Sequence, residues 1–195
     1  HLTIDEGNRY YFRNIVWKGH TLYETRFLDQ VLGINKGDVF NQELLDTRLS
    51  FSQDGRDISS LYLDNGYLFF RVDPVETSID NDSIDLELRI FEGPQATIDR
   101  VIIKGNDRTH EHVIRRELFT RPGDKFSRSD IIRSQREIIN LGYFNQEALG
   151  INTPVNPDRG TVDIEYTVEE KPSDQLELSA GYQPATAFSR GGVIG

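Results

Sequence analysis

The segment FRNIVWKG at residues 12–19 recurs as IDRVIIKG at residues 98–105, an offset of 86 residues. Both segments carry apolar residues at matching positions, and both end in Lys-Gly. Solenoid repeats have periods of about 20 to 50 residues, so this longer period indicates two copies of a complete small domain. The secondary structure predicted for one copy therefore predicts the fold of the whole chain.

Two further motifs recur in the same order. Gly-Asp-x-Phe occupies residues 37–40 and 123–126 at the same offset, whereas Gly-Tyr occupies residues 66–67 and 142–143 at an offset of 76 residues. The first copy therefore contains about ten additional residues between these motifs. We place them around residues 51–57, where an Asp-Gly pair indicates a turn.

Each copy reads as strand, helix, helix, strand, strand. The strands are predicted from β-branched runs and from alternation of apolar and polar side chains, which is clean in the last strands at residues 84–90 and 162–168. The helices are predicted from apolar residues at helical spacing, with caps such as the Thr21–Glu24 capping box and Thr109. Since three strands with one buried face need a cover, the sequence predicts an α+β fold with two helices over a three-stranded mixed sheet.

The repeat also predicts the domain limits. The two complete copies are expected at residues 9–93 and 94–172, joined at a Gly-Pro pair that is too short to act as a flexible tether. Residues 2–7 (LTIDEG) match residues 88–93 (LRIFEG), so residues 1–8 are expected to be the last strand of a preceding copy. We therefore expect the chain to be a piece of a longer array.

Composition excludes several classes of function. The formal charge of −10 argues against a nucleic-acid partner, because the chain offers no surplus of Lys and Arg for a phosphate backbone. The absence of cysteine excludes disulfides, thiol catalysis and Cys-ligated zinc. Acidic residues lie mainly in turns or on outward strand faces, and His110 and His112 point to different faces of a helix. We expect no catalytic residues, no metal, no cofactor and no enzymatic activity.

These motifs, in this order and seen twice, resemble the POTRA domains of the BamA family of outer-membrane assembly factors. The marks are Lys-Gly after the first strand, Gly-Asp-x-Phe before the second helix, Gly-Tyr before the second strand and Glu-Gly-Pro at residues 92–94. The second copy departs from the last mark with Glu-Lys-Pro at residues 170–172. The likeness covers residues 1–172 and implies tandem POTRA domains, each of order β-α-α-β-β.

The resemblance also implies a place beside the outer membrane. Residues 175–182 (QLELSAGY) alternate apolar with polar or small residues, a weak signature of a transmembrane barrel strand. By the resemblance, residues 173–195 are a linker and the first strand of a membrane barrel, and the two copies are the last two POTRA domains on the periplasmic side. A linker with accidental alternation is the alternative for this segment. The piece itself is expected to be monomeric.

The resemblance assigns client binding to the second strand of each domain. An extended peptide can pair with a free sheet edge through main-chain hydrogen bonds, which is called β-augmentation. The corresponding residues are Tyr67, Leu68, Phe69, Phe70, Arg71 and Val72 in the first copy, and Tyr143, Phe144, Asn145, Gln146, Glu147 and Ala148 in the second. The first edge ranks above the second, because four consecutive large apolar residues cannot all face the core from one strand. Some of them are expected to be exposed or covered by a neighbour.

Five arginines of the second copy form another candidate site, and all of them lie on or beside predicted helices. They are Arg115, Arg116, Arg128, Arg133 and Arg136. The interpretation that we favour is ordinary helix surface. The alternative is a docking face for an acidic partner or for lipid head groups.

The function implied by the resemblance is that of a non-enzymatic periplasmic scaffold. It would bind unfolded outer-membrane proteins and accessory lipoproteins, and it would pass its clients to its own membrane barrel. One alternative is the POTRA region of a related protein-secretion or translocation barrel. Another alternative is an architectural spacer whose sheet edges are blocked.

Overall fold

A computed structural model describes residues 7–172, which form two successive α+β units, each with its own sheet and apolar core. We call residues 7–93 the first unit and residues 94–172 the second unit. Residues 1–6 of the expected preceding strand lie outside the described residues. The same holds for the whole of the expected linker and barrel strand at residues 173–195.

The first unit has six regular elements. They are β1 (Tyr11–Lys18), α1 (Thr25–Leu32), α2 (Gln42–Leu49), α3 (Ile58–Leu63), β2 (Arg71–Asp80) and β3 (Ser83–Phe91). The sheet order is β1-β3-β2, in which the central β3 is parallel to β1 and antiparallel to β2. The additional residues 51–57 form a loop that divides the predicted second helix into α2 and α3.

The second unit repeats this plan with a shorter edge. Its elements are β4 (Thr97–Lys104), α4 (Glu111–Arg115), α5 (Arg128–Asn140), a 3-10 helix (Gln146–Ala148), β5 (Gly150–Asn152), β6 (Val155–Asn156) and β7 (Thr161–Thr167). The sheet order is β4-β7-β5, and β6 pairs with the beginning of β7. The predicted α+β class with mixed sheets under helices is confirmed.

One face of each sheet is buried beneath the helices. In β3 the alternate residues Ile84, Leu86, Leu88 and Ile90 are buried. Residues 162–168 repeat this alternation in and just after β7. Each such side chain contributes about 1.5–3 kcal/mol on full burial, so the period of two fixes which face of the strand points to the core.

The glycine of each Lys-Gly motif is required by a close approach of two backbones. Gly19 and Gly105 have φ angles of +86° and +87°. Residues other than glycine rarely adopt such angles. A Cβ atom at Gly19 would lie 2.2 Å from the carbonyl oxygen of Ile90, and one at Gly105 would lie 1.9 Å from that of Val168. The motif therefore lets the first strand end directly against the central strand of its sheet.

The Gly-Asp-x-Phe motif pairs with the outer edge of the first strand. In the first unit the Gly37 amide donates to the Phe12 carbonyl at 2.7 Å, and the Phe12 amide donates to the Asp38 carbonyl at 2.9 Å. In the second unit Gly123 and Ile98 repeat the first of these bonds at 2.8 Å. One of the two edges of each sheet is therefore partly covered by its own chain.

Two predicted helix caps were wrong for the same reason. α1 begins at Thr25 and α4 begins at Glu111, and neither has a side-chain cap bond. The predicted cap Thr21 instead donates its amide to the Glu92 carboxylate at 2.8 Å, and Thr109 donates its amide to the Glu170 carboxylate at 2.7 Å. Hydrogen bonds to a charged acceptor are stronger than those to a neutral one, so the Glu of each Glu-x-Pro motif takes these amides.

Candidate peptide-binding edges and arginine surface

The four aromatic and apolar residues of the first predicted edge do not lie in a strand. Residues 67–70 form a turn after α3, and β2 begins only at Arg71. The turn follows Gly66, whose φ is +90°, and it is closed by hydrogen bonds from the Tyr67 amide to the Tyr62 carbonyl and from the Phe70 amide to the Tyr67 carbonyl. The predicted start of the strand at Tyr67 was therefore wrong, because these amides are used within the turn.

The side chains of this turn are covered from two sides. Phe70 stacks on Tyr62 in the core of the first unit, with ring centroids 4.1 Å apart, and Tyr67 packs against the same core. Leu68 and Phe69 instead pack against the core of the second unit. Of the six residues predicted for this edge, only Arg71 and Val72 belong to the edge strand.

The free edge of the first unit is β2 itself. β2 is ten residues long, and only Val72 and Val75 are half-buried, while the other eight residues are exposed. Within residues 7–172, no strand or bridge pairs with the outer edge of β2. Pro74 and a bulge between Glu76 and Ser78 interrupt this edge, and such features hinder uncontrolled edge-to-edge association.

The second predicted edge pairs with the end of its own sheet only at residues 143–145 and then leaves the strand conformation. Phe144 is buried and forms a bridge with Glu170, and the Lys171 amide donates to the Tyr143 carbonyl at 2.9 Å. Asn145 donates its amide to the Glu169 carbonyl, also at 2.9 Å. Gln146, Glu147 and Ala148 form the 3-10 helix, so the predicted strand at residues 143–149 was wrong. Beyond this point the sheet continues only with the three residues of β5 and the two of β6.

An ion pair ties the end of β2 to the rest of its sheet. The Arg13 guanidinium binds both carboxylate oxygens of Asp85, at 2.9 and 2.7 Å, and also contacts Asp80 at 3.2 Å. These hydrogen bonds from Arg13 lower the pKa of Asp85 to about 2. The second unit has the matching pair Arg100–Asp163 at 2.7 Å. All three strands of the first sheet are therefore connected at one end.

The five predicted arginines do not form one patch. Arg115 pairs with Glu111, and Arg116 pairs with Glu117 at 3.1 Å on the neighbouring turn. The other three arginines lie on α5 and line a cleft against the loop of residues 51–57. They are Arg128, Arg133 and Arg136.

The three arginines of the cleft differ in their partners. Arg133 stacks on the Phe119 ring at 3.9 Å and lies 3.7 Å from Asp130. Arg128 reaches across the cleft to Asp57 in the first unit, at 3.3 Å. Arg136 is exposed. Two of the three arginines, Arg128 and Arg133, therefore already contact acidic and aromatic side chains of the chain itself.

The edge residues 73–80 were missed because their sequence is polar. The signal that could have found them is the predicted turn at residues 80–82. An antiparallel partner of the alternating residues 83–91 has to run back over a similar length, and this places it at residues 71–80. Asp57, Ser60 and Asp64 of the first unit, which contact Arg128 and Ser129 of the second unit, carried no such signal in the sequence.

Residues 7–172 hold no group of three or more His, Asp or Glu side chains arranged to bind a metal ion. None of the helices in the same range is both long and apolar enough to cross a membrane.

Comparisons with known proteins agree with the geometry. The POTRA family model, described as a surface antigen variable number repeat, matches residues 10–93 and 96–171. The outer membrane protein assembly factor BamA of Neorickettsia risticii is 28% identical over 186 residues, which cover 95% of this chain and 24% of the relative. BamA of Nitratidesulfovibrio vulgaris is 27% identical over 195 residues, covering 98% of this chain and 24% of the relative. The chain therefore spans about a quarter of the length of these relatives.

Two solved structures have the same fold. The POTRA3-5 segment of Haemophilus influenzae BamA superposes with a TM-score of 0.69 at 19% identity, covering 83% of this chain and 61% of that one. BamA of Haemophilus ducreyi lacking POTRA domains 1-3 superposes with a TM-score of 0.65 at 20% identity, covering 84% of this chain and 29% of that one.

Proposed function

Because the chain belongs to the POTRA family, we propose that it is a non-enzymatic scaffold for outer-membrane protein assembly. In this proposal the chain lies on the periplasmic side of the outer membrane and serves an attached membrane barrel. Its partners are unfolded outer-membrane proteins and accessory lipoproteins. The relatives in Neorickettsia risticii and Nitratidesulfovibrio vulgaris are named as outer membrane protein assembly factors, which supports the proposal.

The observation that carries the proposal is the unpaired outer edge of β2. Along the ten residues of β2, the main-chain groups that point away from β3 have no strand partner within residues 7–172. An extended client segment can bind there through main-chain hydrogen bonds that demand no particular sequence. Such tolerance suits a scaffold that receives many different unfolded chains.

Photo-crosslinking tests this proposal. Benzoylphenylalanine is introduced at Ser78 in β2 or, as the matched control, at Gln146 in the 3-10 helix of the second unit; both positions are exposed. The probe is a urea-denatured small outer-membrane barrel protein diluted into the reaction. We expect crosslinks from Ser78 and few from Gln146, and we expect the same barrel protein to give none once it is folded in detergent.

Two outcomes would contradict the proposal. Equal yields from both positions would mean that the unfolded probe adheres without selecting the free edge. No yield from Ser78 would favour the architectural spacer, in which the edge of β2 binds no client.

A further inference from the structure

The junction between the two units is held at Arg128, the first residue of α5. Its guanidinium donates to the Asp57 carboxylate at 3.3 Å, to the Ser50 carbonyl at 3.3 Å and to the Ser60 hydroxyl. It also lies over the Phe51 ring, 5.1 Å from the centroid. All four of these partners belong to the first unit.

Asp57 is the buried centre of this contact. The residue is completely buried, and its carboxylate accepts hydrogen bonds from the amides of Ser52 and Ser60 at 3.1 and 3.0 Å. Burying a carboxylate is costly unless it is both hydrogen-bonded and paired with a cation. The only ion pair of Asp57 within the described residues is with Arg128, which comes from the other unit.

The additional loop of the first copy supplies much of this contact. Phe51, Ser52 and Asp57 all lie in residues 51–57, a segment that has no counterpart in the second copy. The loop therefore supplies both an aromatic face and a buried carboxylate to one guanidinium of the neighbouring unit. Arginine suits such a place, because its planar group can stack on a ring and donate to several oxygens at once.

A second set of contacts lies beside the first. The Ala96 amide donates to the Gly66 carbonyl at 2.8 Å, and the Ser129 amide donates to the Asp64 carboxylate at 2.8 Å. Leu68 and Phe69 add apolar contacts to the core of the second unit. A junction held by two separate groups of contacts resists rotation, whereas one held at the chain connection alone does not.

We infer that Arg128 and the loop of residues 51–57 form a latch that fixes the angle between the two units. The latch acts on the segment that leads to β2, because Asp57 caps α3 and α3 continues through the turn at residues 67–70 into β2. If the proposed function holds, the latch also sets the direction in which β2 presents a client to the second unit. The latch itself does not depend on client binding.

Distance measurements between spin labels test the latch. The chain contains no cysteine, so Glu43→Cys and Asp158→Cys place one label on an exposed position of each unit. Pulsed electron spin resonance then gives the distribution of distances in the 195-residue chain without any client. We expect a single narrow distribution for the parent chain. Arg128→Ala is expected to broaden the distribution or to shift its centre by more than the parent's width.

The matched control is Arg136→Ala. Arg136 lies on the same helix and lines the same cleft, but among the described residues it makes no hydrogen bond or ion pair with the first unit. We expect this variant to leave the distribution unchanged. Arg128→Lys keeps the charge but cannot reach all the oxygens and the ring together, so its distribution is expected to lie between those of the parent and Arg128→Ala.

Unchanged distances in Arg128→Ala would overturn the inference. Circular dichroism shows whether that variant is folded. If it is not folded, Arg128→Lys decides the question, and a distribution identical to the parent's overturns the latch. No crosslinking from Ser78 in the parent chain, together with a narrow parent distribution that Arg128→Ala broadens or shifts, would instead contradict the proposed function and leave the latch intact, so the two failures can be told apart.

Discussion

The two units share a fold but differ in their second strands. In the first unit β2 runs for ten residues with a free outer edge, whereas in the second unit β5 has three residues. The neighbouring residues 143–145 of the second unit are paired with residues 169–171 of the same chain. The duplicated plan therefore presents one long edge strand, β2, in the first unit and a short, interrupted edge, β5 and β6, in the second.

The shared motifs explain why the fold survives this difference. Gly19 and Gly105 let the first strand approach the central strand, and Glu92 and Glu170 bind the loop that follows the first strand. None of these residues belongs to the second strand. The second strand is therefore free to vary in length and pairing while the other two strands and the helices keep the core.

The largest expected effect comes from breaking the second unit at Gly105. Gly105→Ala places a Cβ atom against the Val168 carbonyl at a positive φ, and we expect it to lower the free energy of unfolding by about 2–4 kcal/mol. Urea unfolding measures this free energy, and circular dichroism follows the unfolding of both units. Trp17, the only tryptophan of the chain, lies in β1, so its fluorescence reports the first unit.

Gly123→Ala is the matched control for this change. Gly123 has a φ of +89°, but a Cβ atom there would meet nothing within 4 Å. We expect a loss of about 1 kcal/mol, from the backbone conformation alone. Equal losses in the two variants would show that the close approach to Val168 is not what requires glycine.

The strands next to recurring motifs could be predicted from the sequence, and the second strands could not. The first strands end at the Lys-Gly motifs, and the last strands alternate apolar and polar residues. The sequence pattern therefore predicted β1, β3, β4 and β7. Residues 67–70 were wrongly predicted to lie in a strand, because some of their apolar side chains are buried by the second unit and not by their own sheet. A pattern within one copy carries no information about burial by the other copy.

β2 was missed for the opposite reason. Its sequence, RVDPVETSID, contains a proline and three acidic residues, which are poor strand formers. It is a strand because β3 offers it main-chain partners along almost its whole length, from Arg71 opposite Phe91 to Asp80 opposite Ser83, with one bulge between Glu76 and Ser78. Of the six residues predicted for this edge, only Arg71 and Val72 therefore lie in the edge strand, and its function as a peptide-binding edge stays a prediction.

Acid is expected to weaken both units through different carboxylates. Hydrogen bonds from Arg13 lower the pKa of Asp85 to about 2. Burial alone would raise the pKa of Glu170, but hydrogen bonds from Arg108 and Thr109 outweigh it and lower the pKa to about 2. In the unfolded chain the pKa of each of these carboxyl groups is about 4. Their stabilising contribution is therefore complete above about pH 5 and is lost as the pH falls towards about 2.

Two variants separate the units in this experiment. Asp85→Asn is expected to flatten the pH dependence of the urea midpoint reported by Trp17 fluorescence. Glu170→Gln is expected to flatten the dependence seen by circular dichroism and to leave the fluorescence midpoint nearly unchanged. A variant whose midpoint falls with pH as steeply as that of the parent would rule out that carboxylate as a source of the acid sensitivity.

The smallest effect on stability is expected from loosening the pairing of residues 143–145 with residues 169–171. Lys171→Pro removes the amide that donates to the Tyr143 carbonyl, and losing one such bond costs about 1 kcal/mol. The main-chain groups of residues 143–145 are then no longer fully held by residues 169–171. Crosslinking of a urea-denatured barrel protein from benzoylphenylalanine at Gln146 should rise above the parent level, while the yield from Ser78 stays constant. If the yield from Gln146 does not rise although the chain remains folded, pairing with residues 169–171 is not what separates the two edges, and the length of β5 becomes the controlling difference.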